Sequence, residues 1–360
     1  MYMDVKEKLE LIERNTVEVI TLDELREKLE MGVKLKGYLG FEPSGLFHIG
    51  WLIWALKYRD LVNAGVEMYL LAATWHAWIN DKFGGDMKLI KLAANHVVSV
   101  LKYLGVDISR VKVVDAEDLV DDKDYWSILI KVAKSVSLAR VRRALTIMGR
   151  KSEEGETDFS KLIYPLMQVT DIFYLDLDIA LGGLDQRKAH MLARDIAEKL
   201  GFKKPIAIHT PLLTSLQGIG RMDVKGEIDD MLSGVKMSKS RPESAIFITD
   251  SDEVIRSKVF NAYCPPRQVE FNPVVELAKY IIFYEEPKEV VIERPERYGG
   301  PISISRYKEL EELYLNGSLH PADLKSFVVK HLIDIIRPIR EKILNESKEL
   351  VEVLSKHISR

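Results

Sequence analysis

One cysteine, Cys264, stands in a chain of 360 residues. A single thiol excludes an intramolecular disulfide framework and a cysteine-based zinc cluster, and its plainest reading is a small buried side chain of an intracellular protein. Long apolar runs are also missing: none approaches the roughly 18 residues that a membrane span needs. The opening MYMDVKEKLELIERN is a charged helical pattern without the apolar core of a secretory signal, so a cytoplasmic protein is expected. Asn and Gln together number only twelve, while charged residues make up 30%, a bias known from thermophiles. Net charge is −3, which leaves no global field for nucleic acid, so any such contact must come from local basic patches. Internal repeats and low-complexity segments are absent.

What is present is an ordinary globular composition, 47% hydrophobic, in a chain long enough for two cores. Thr21, with Glu24 three residues on, reads as a capping box that opens a helix. Strand patterns at 36–41, 67–73 and 111–114 alternate with helical ones at 52–64 and 87–104. Residues 124–150 read as helical with the basic stripe LARVRR, and 163–176 as a helix with Pro165 in its first turn. Strand DIALGG, helix 185–200, strand PIAIHT and a short strand AIFI follow. Such alternation predicts an α/β fold with a doubly wound parallel sheet. Beyond about Asp250 the pattern is almost all helical. The division is therefore an N-terminal helical segment 1–31, a Rossmann-like domain 32–250 with a helical insertion at about 115–160, and an all-α domain 251–360.

Three places carry chemistry. In GFEPSGLFHIGW a strand runs into a helix, and helix N-termini at the carboxyl ends of such strands favour anions. His48 falls at or just before the first turn, able to donate to a phosphate, and Gly50 bares the backbone for a flat base. A capped loop with a surface histidine would read the same. In KLIYPLMQVTDIFYL the other faces are so apolar that Tyr164, Gln168 and Asp171, at i, i+4 and i+7, should be buried. A buried carboxylate is costly alone, so Asp171 needs a hydroxyl or cation. A polar edge on a surface helix is the alternative. In GVKMSKSRPES, Lys236 and Lys239 stand in a Gly-flanked stretch that reads as mobile and could close on a polyphosphate, or be merely solvated. The strand end before GGLDQRKAH adds Asp185 and Gln186, placed where a ribose hydroxyl is commonly gripped.

Their order resembles a class I aminoacyl-tRNA synthetase, and most closely the tyrosyl-tRNA synthetases of archaeal and eukaryotic type. GFEPSG, IYPLMQVTDI, GGLDQRKAHMLAR, KMSKS, AYCPPR, RPERYGG and LHPADLK stand in that family's order over roughly residues 5–340. The resemblance implies tyrosine activation by ATP, with Mg²⁺ accompanying the nucleotide, then transfer to the terminal ribose of tRNA(Tyr), by a homodimer whose contact surface lies between about 87 and 150. Residues 251–360 would bind the anticodon. Tyr38 and Asp171 would hold the substrate phenol; Tyr164, Gln168 and Gln186 its α-amino and carboxylate end. Gly40, Glu42, Gly183 and Asp185 would line the amino-acid and ribose parts of the adenylate site. His48, Gly50, Lys236, Met237, Ser238 and Lys239 would serve ATP, with His48, Gly50 and the two lysines catalytic. Arg143, Arg187 and Lys188 would meet the tRNA acceptor end, and Tyr298, His320, Pro321 and Asp323 the anticodon.

One departure stands out. The family's first motif usually reads HIGH, and here it ends in Trp51, which removes one nucleotide contact but leaves His48, Gly50 and the helix N-terminus; activity is expected to survive. Residues 217–234 read as a loop extension and 341–360 as an extra C-terminal helix. The rivals are a tryptophanyl-tRNA synthetase, a catalytically silenced relative that binds RNA, and a generic Rossmann nucleotidyltransferase. The Tyr38–Asp171 pair suits a phenol better than an indole, and a nucleotidyltransferase would not need the helical domain that carries HPAD.

Overall fold

The computed structural model describes residues 3–148, 158–218, 236–237 and 242–357. These fall into two compact units. Of the described residues, the first unit draws on 3–45 and on those between 54 and 211; the second draws on 46–53, 212–218 and those from 236 onward.

The first unit is built on a six-stranded sheet of β1 (Glu18–Ile20), β2 (Lys36–Phe41), β3 (Glu67–Ala72), β4 (Val111–Asp115), β5 (Ile179–Gly183) and β6 (Ile206–Thr210). Their order across the sheet is β1-β6-β5-β2-β3-β4. All neighbours are parallel except β1, which runs antiparallel to β6. The chain therefore winds outward from β2 to β3 and β4, then returns and winds the other way through β5 and β6. That is a doubly wound α/β sheet, and its direction reverses between β2 and β5.

β1 was not expected. Its three residues are all half-buried, so no alternation marks them, and only the pairing with β6 makes them a strand. The capping box is present: the Thr21 hydroxyl accepts from Glu24 N and the Glu24 carboxylate accepts from Thr21 N. Residues 124–150 break at Val136, giving helices Lys123–Ser135 and Leu138–Ala144 in place of one.

The helix expected at 163–176 runs instead from Phe159 to Tyr174, so Pro165 lies inside it, not in its first turn. Asp158 caps the helix, accepting from Ser160 N at 3.0 Å. Pro165 lacks the N–H that would reach Lys161 O, and an interior proline is costly. Burial offsets that cost, because ten of the sixteen residues are shielded from solvent. Val169 and Ile172 are essentially inaccessible, and each such side chain contributes about 1.5–3 kcal/mol.

In the second unit, helices Asp252–Asn261, Pro273–Leu277, Tyr307–Leu315 and Pro321–Ser355 dominate. The almost wholly helical pattern is interrupted by a hairpin of β7 (Val290–Ile292) and β8 (Ile302–Ile304). AIFI forms no strand: within it Phe247 makes a single antiparallel bridge to His48. The last helix is broken by a kink at Ser347, whose backbone is non-helical, so a separate C-terminal helix is present but begins at that kink and not at 341.

Candidate active site

β2 and β5 lie side by side, with Tyr38 opposite Ala180, and end at Phe41 and Gly183. This reversal point is where open α/β sheets bind ligands. Tyr38 and Gly40 share one side of β2 by its two-residue period, and Glu42 follows directly after the strand. A Cβ at Gly40 would come 3.3 Å from the Tyr38 ring, so the glycine makes room for that ring beside bare backbone.

The helix Phe159–Tyr174 brings Asp171 to this point, buried as the sequence predicts. Its partner is one the sequence did not indicate. The Tyr125 hydroxyl, from helix Lys123–Ser135, donates to Asp171 Oδ1 at 2.8 Å. His76 Nε2 lies 3.3 Å from Oδ2, yet neither of its ring nitrogens makes a hydrogen bond among the described residues. Burial pushes the Asp171 carboxyl up to about 8, against the opposing Tyr125 bond. Burial also pushes the His76 imidazole down to about 4. Buried Tyr38 has its hydroxyl pushed up, by burial first and then by the Asp171 charge, with nearby Gln168 opposing. The result is a dry carboxyl ringed by phenols and an imidazole, able to accept from one more hydroxyl.

A second polar group adjoins the first on the same helix. The Tyr164 hydroxyl, expected at the substrate's amino end, donates to Glu42 Oε2 at 3.1 Å. Asn80 Nδ2 donates to the same oxygen at 2.8 Å, and Lys82 Nζ stands 3.2 Å from Oε1. Asn80 and Lys82 were not singled out in the sequence. They flank a backbone with φ near +57° at Asp81 and +52° at Phe83, strain that non-glycine residues retain where the surroundings fix them. Gln168 Nε2 donates to Gln186 Oε1 at 3.2 Å, and Gln186 Nε2 donates to Ile147 O. Gly183 and Asp185 stand beside them, at the end of β5 and in the turn after it. The first unit thus brings together Tyr38, Gly40, Glu42, Tyr164, Gln168, Asp171, Gly183, Asp185 and Gln186.

The second unit joins the other two motifs. His48 precedes a single turn, Ile49–Trp51, that leads into helix Leu52–Asn63. Ile49 N donates to Ile246 O at 2.7 Å, and Ile248 N donates to Phe47 O at 2.9 Å, which fixes the motif's backbone. A Cβ on Gly50 would sit 2.9 Å from the His48 ring and 3.6 Å from Met237 Cβ. Gly50 therefore makes room for the histidine, a local role beside the expected bare surface for a base. Trp51 packs its ring against both Phe47 and His48, each at 5.5 Å. Lys236 bridges to Thr214, and Met237 N donates to Leu213 O. Ser238, Lys239 and most of 217–234 lie outside the described residues.

Comparison with known proteins places the whole chain in a family. A family model described as tRNA synthetases class I (W and Y) matches residues 30–336. The tyrosine–tRNA ligase of Sulfolobus acidocaldarius is 60% identical over 361 residues, 99% of this chain and 100% of the relative. That of Aeropyrum pernix is 58% identical over 361 residues, 99% of each chain. This chain belongs to the class I tRNA synthetases, in their tyrosyl branch. Among solved structures, the tyrosyl-tRNA synthetase of A. pernix matches with a TM-score of 0.87 and 53% identity, over 98% of this chain and 100% of that one. The Pyrococcus horikoshii tyrosyl-tRNA synthetase, solved in complex with L-tyrosine, matches with 0.89 and 40% identity over the same shares.

In this synthetase, the residues expected at tRNA lie in both units. Arg143 is exposed on the short helix Leu138–Ala144. Arg187 and Lys188 open helix Arg187–Leu200, directly after Gln186. In the second unit Tyr298 is 60% exposed, with the Arg297 guanidinium 4.8 Å from its ring centre. His320 caps helix Pro321–Ser355, its Nδ1 accepting from Ala322 N, with Pro321 and Asp323 in the first turn. Arg294 ties the two segments, donating to Gly300 O and to Ser318 O.

Proposed function

We infer that the chain is a tyrosine–tRNA ligase that activates L-tyrosine with ATP and transfers it to the terminal ribose of tRNA(Tyr). The observation that carries the reading is the buried Asp171 carboxyl, flanked by Tyr125, His76 and Tyr38 at the reversal of the sheet. Such a site bonds a phenol and strands its own polar groups when phenylalanine enters, as is documented for tyrosyl enzymes as a class.

Tyrosine's own carboxylate attacks the α-phosphorus, and pyrophosphate leaves with the bond's electron pair. No side-chain nucleophile is needed; the protein supplies position and charge stabilisation. Tyr38 and Asp171 hold the phenol. Gln168 and Gln186, with Tyr164 acting also through Glu42, hold the amino and carboxylate end. Gly40, Glu42, Gly183 and Asp185 line the adenylate. His48, Gly50, Lys236, Met237, Ser238 and Lys239 serve the nucleotide. Mg²⁺ would arrive on the ATP phosphates as part of the substrate.

Arg143, Arg187 and Lys188 meet the acceptor end through phosphates, which position without reading sequence. Tyr298, as a stacking platform, with His320, Pro321 and Asp323, reads the single-stranded anticodon. Residues 1–31 form an N-terminal segment, 32–250 the catalytic domain and 251–360 the anticodon-binding domain. Exposed Trp126, Ile130 and Leu138 suit a homodimer surface. No described helix is long and apolar enough to cross a membrane, and the cytoplasm, which holds ATP and tRNA, is the proposed compartment.

Amino-acid-dependent ATP–pyrophosphate exchange, run separately with tyrosine, tryptophan and phenylalanine, tests the reading. Exchange with tyrosine alone is expected. Exchange with tryptophan would overturn the phenol assignment, and no exchange from folded protein would favour a silenced RNA-binding relative.

A further inference from the structure

Four ionisable side chains form an unbroken line in the first unit, outside the substrate cluster. β1 pairs Glu18 directly with His209 of β6. His209 Nδ1 lies 2.7 Å from Glu18 Oε1, and Arg187 Nε donates to the same oxygen at 2.7 Å. On its other side His209 Nε2 lies 3.0 Å from His190 Nδ1, with the two rings stacked at 5.1 Å. Both histidines are buried. A carboxylate only accepts, so Nδ1 of His209 carries its proton, and Nε2 of a neutral ring then accepts from His190 Nδ1–H.

Arg187 and His190 are i and i+3, the first turn of helix Arg187–Leu200. One strand pair therefore grips that turn twice, through Glu18 and through His209. His190 Cε1 also lies where a Cβ on Gly182 would meet it at 2.9 Å. As an ion pair, Glu18–Arg187 adds little stability, because both side chains are partly solvated. Its effect is geometric: a fully buried imidazole anchors the carboxylate that aims the guanidinium.

We propose that Glu18, held by His209, is a positioning residue that fixes Arg187 and the first turn of its helix for the tRNA acceptor end. The inference rests on the reading of Arg187 as an acceptor-end contact. It gives the N-terminal segment a part in the transfer step, separate from tyrosine activation.

The test uses the full chain with Glu18→Gln, and Arg187→Ala beside it. Tyrosine-dependent ATP–pyrophosphate exchange and tyrosylation of a tRNA(Tyr) transcript are measured on each, with thermal unfolding to confirm folding. For Glu18→Gln, exchange is expected to stay at the wild-type level while KM for tRNA rises about three- to tenfold. If Arg187→Ala impairs tyrosylation and Glu18→Gln does not, the positioning role is overturned and the acceptor contact stands. If neither variant changes tyrosylation, the acceptor reading of Arg187 fails and the inference with it. If Glu18→Gln lowers exchange and tyrosylation together, its role is general packing, which also overturns the proposal.

Discussion

Tyr125 donates its phenolic hydrogen to Asp171 across 2.8 Å, in a place closed to solvent at both residues. The carboxyl is thereby oriented before any substrate arrives, with its second oxygen facing His76. A preset acceptor loses no reorganisation energy when a phenol binds.

Removing that donor should cost both stability and affinity. Tyr125→Phe keeps the ring packed between Trp126 and Tyr174 and leaves Asp171 one hydrogen bond short. Thermal unfolding should report a loss of about 1–3 kcal/mol, and KM for tyrosine in exchange should rise while KM for ATP holds. An unchanged tyrosine KM would remove Tyr125 from the site.

The cluster also sets a pH dependence. Asp171 is raised from its ordinary value to about 8 in the fold. Its contribution to stability is therefore fully present below its unfolded value and lost as pH rises through about 8. His76 is lowered to about 4 from 6.5, so its contribution is present above 6.5 and lost as pH falls through about 4. Between pH 6.5 and 8 only Asp171 titrates of the two, so the free enzyme should lose stability there. Asp171→Asn should abolish that slope in denaturant unfolding. The carboxylate is the better acceptor for a phenol, so KM for tyrosine should fall over the same window.

At the other motif, Gly50→Ala places a methyl 2.9 Å from the His48 ring, a distance that forces the ring to shift. ATP KM in exchange should rise or kcat fall by about tenfold or more, with tyrosine KM little changed, since misplaced catalytic groups are costly. Wild-type kinetics would mean that His48 does not depend on its present position.

Much of this was legible in the sequence because it is local. Apolar runs bounded by glycine gave β2 and β3, and Thr21 with Glu24 gave a capped helix. The i, i+4, i+7 spacing put Tyr164, Gln168 and Asp171 on one face, with Tyr164 and Asp171 buried and Gln168 half-buried. What escaped notice depends on contacts distant in sequence. Tyr125 stands 46 positions from Asp171, and nothing in its own helix marks it as a carboxyl donor. Nothing local marks His76 or Asn80 until the fold sets them against Asp171 and Glu42. β1 exists only through β6. Pro165 was read as a helix start because proline favours that place; Asp158 wins because it supplies the cap and the buried face tolerates the lost hydrogen bond.

The central claim is that Asp171 recognises the substrate's phenol, and the most direct measurement is the ratio of kcat/KM for tyrosine over phenylalanine in pyrophosphate exchange, for wild type and Asp171→Ala. Loss of a charge-assisted hydrogen bond should lower the tyrosine value by about two orders of magnitude and bring the ratio down with it. A ratio left intact in a folded Asp171→Ala protein would contradict the account.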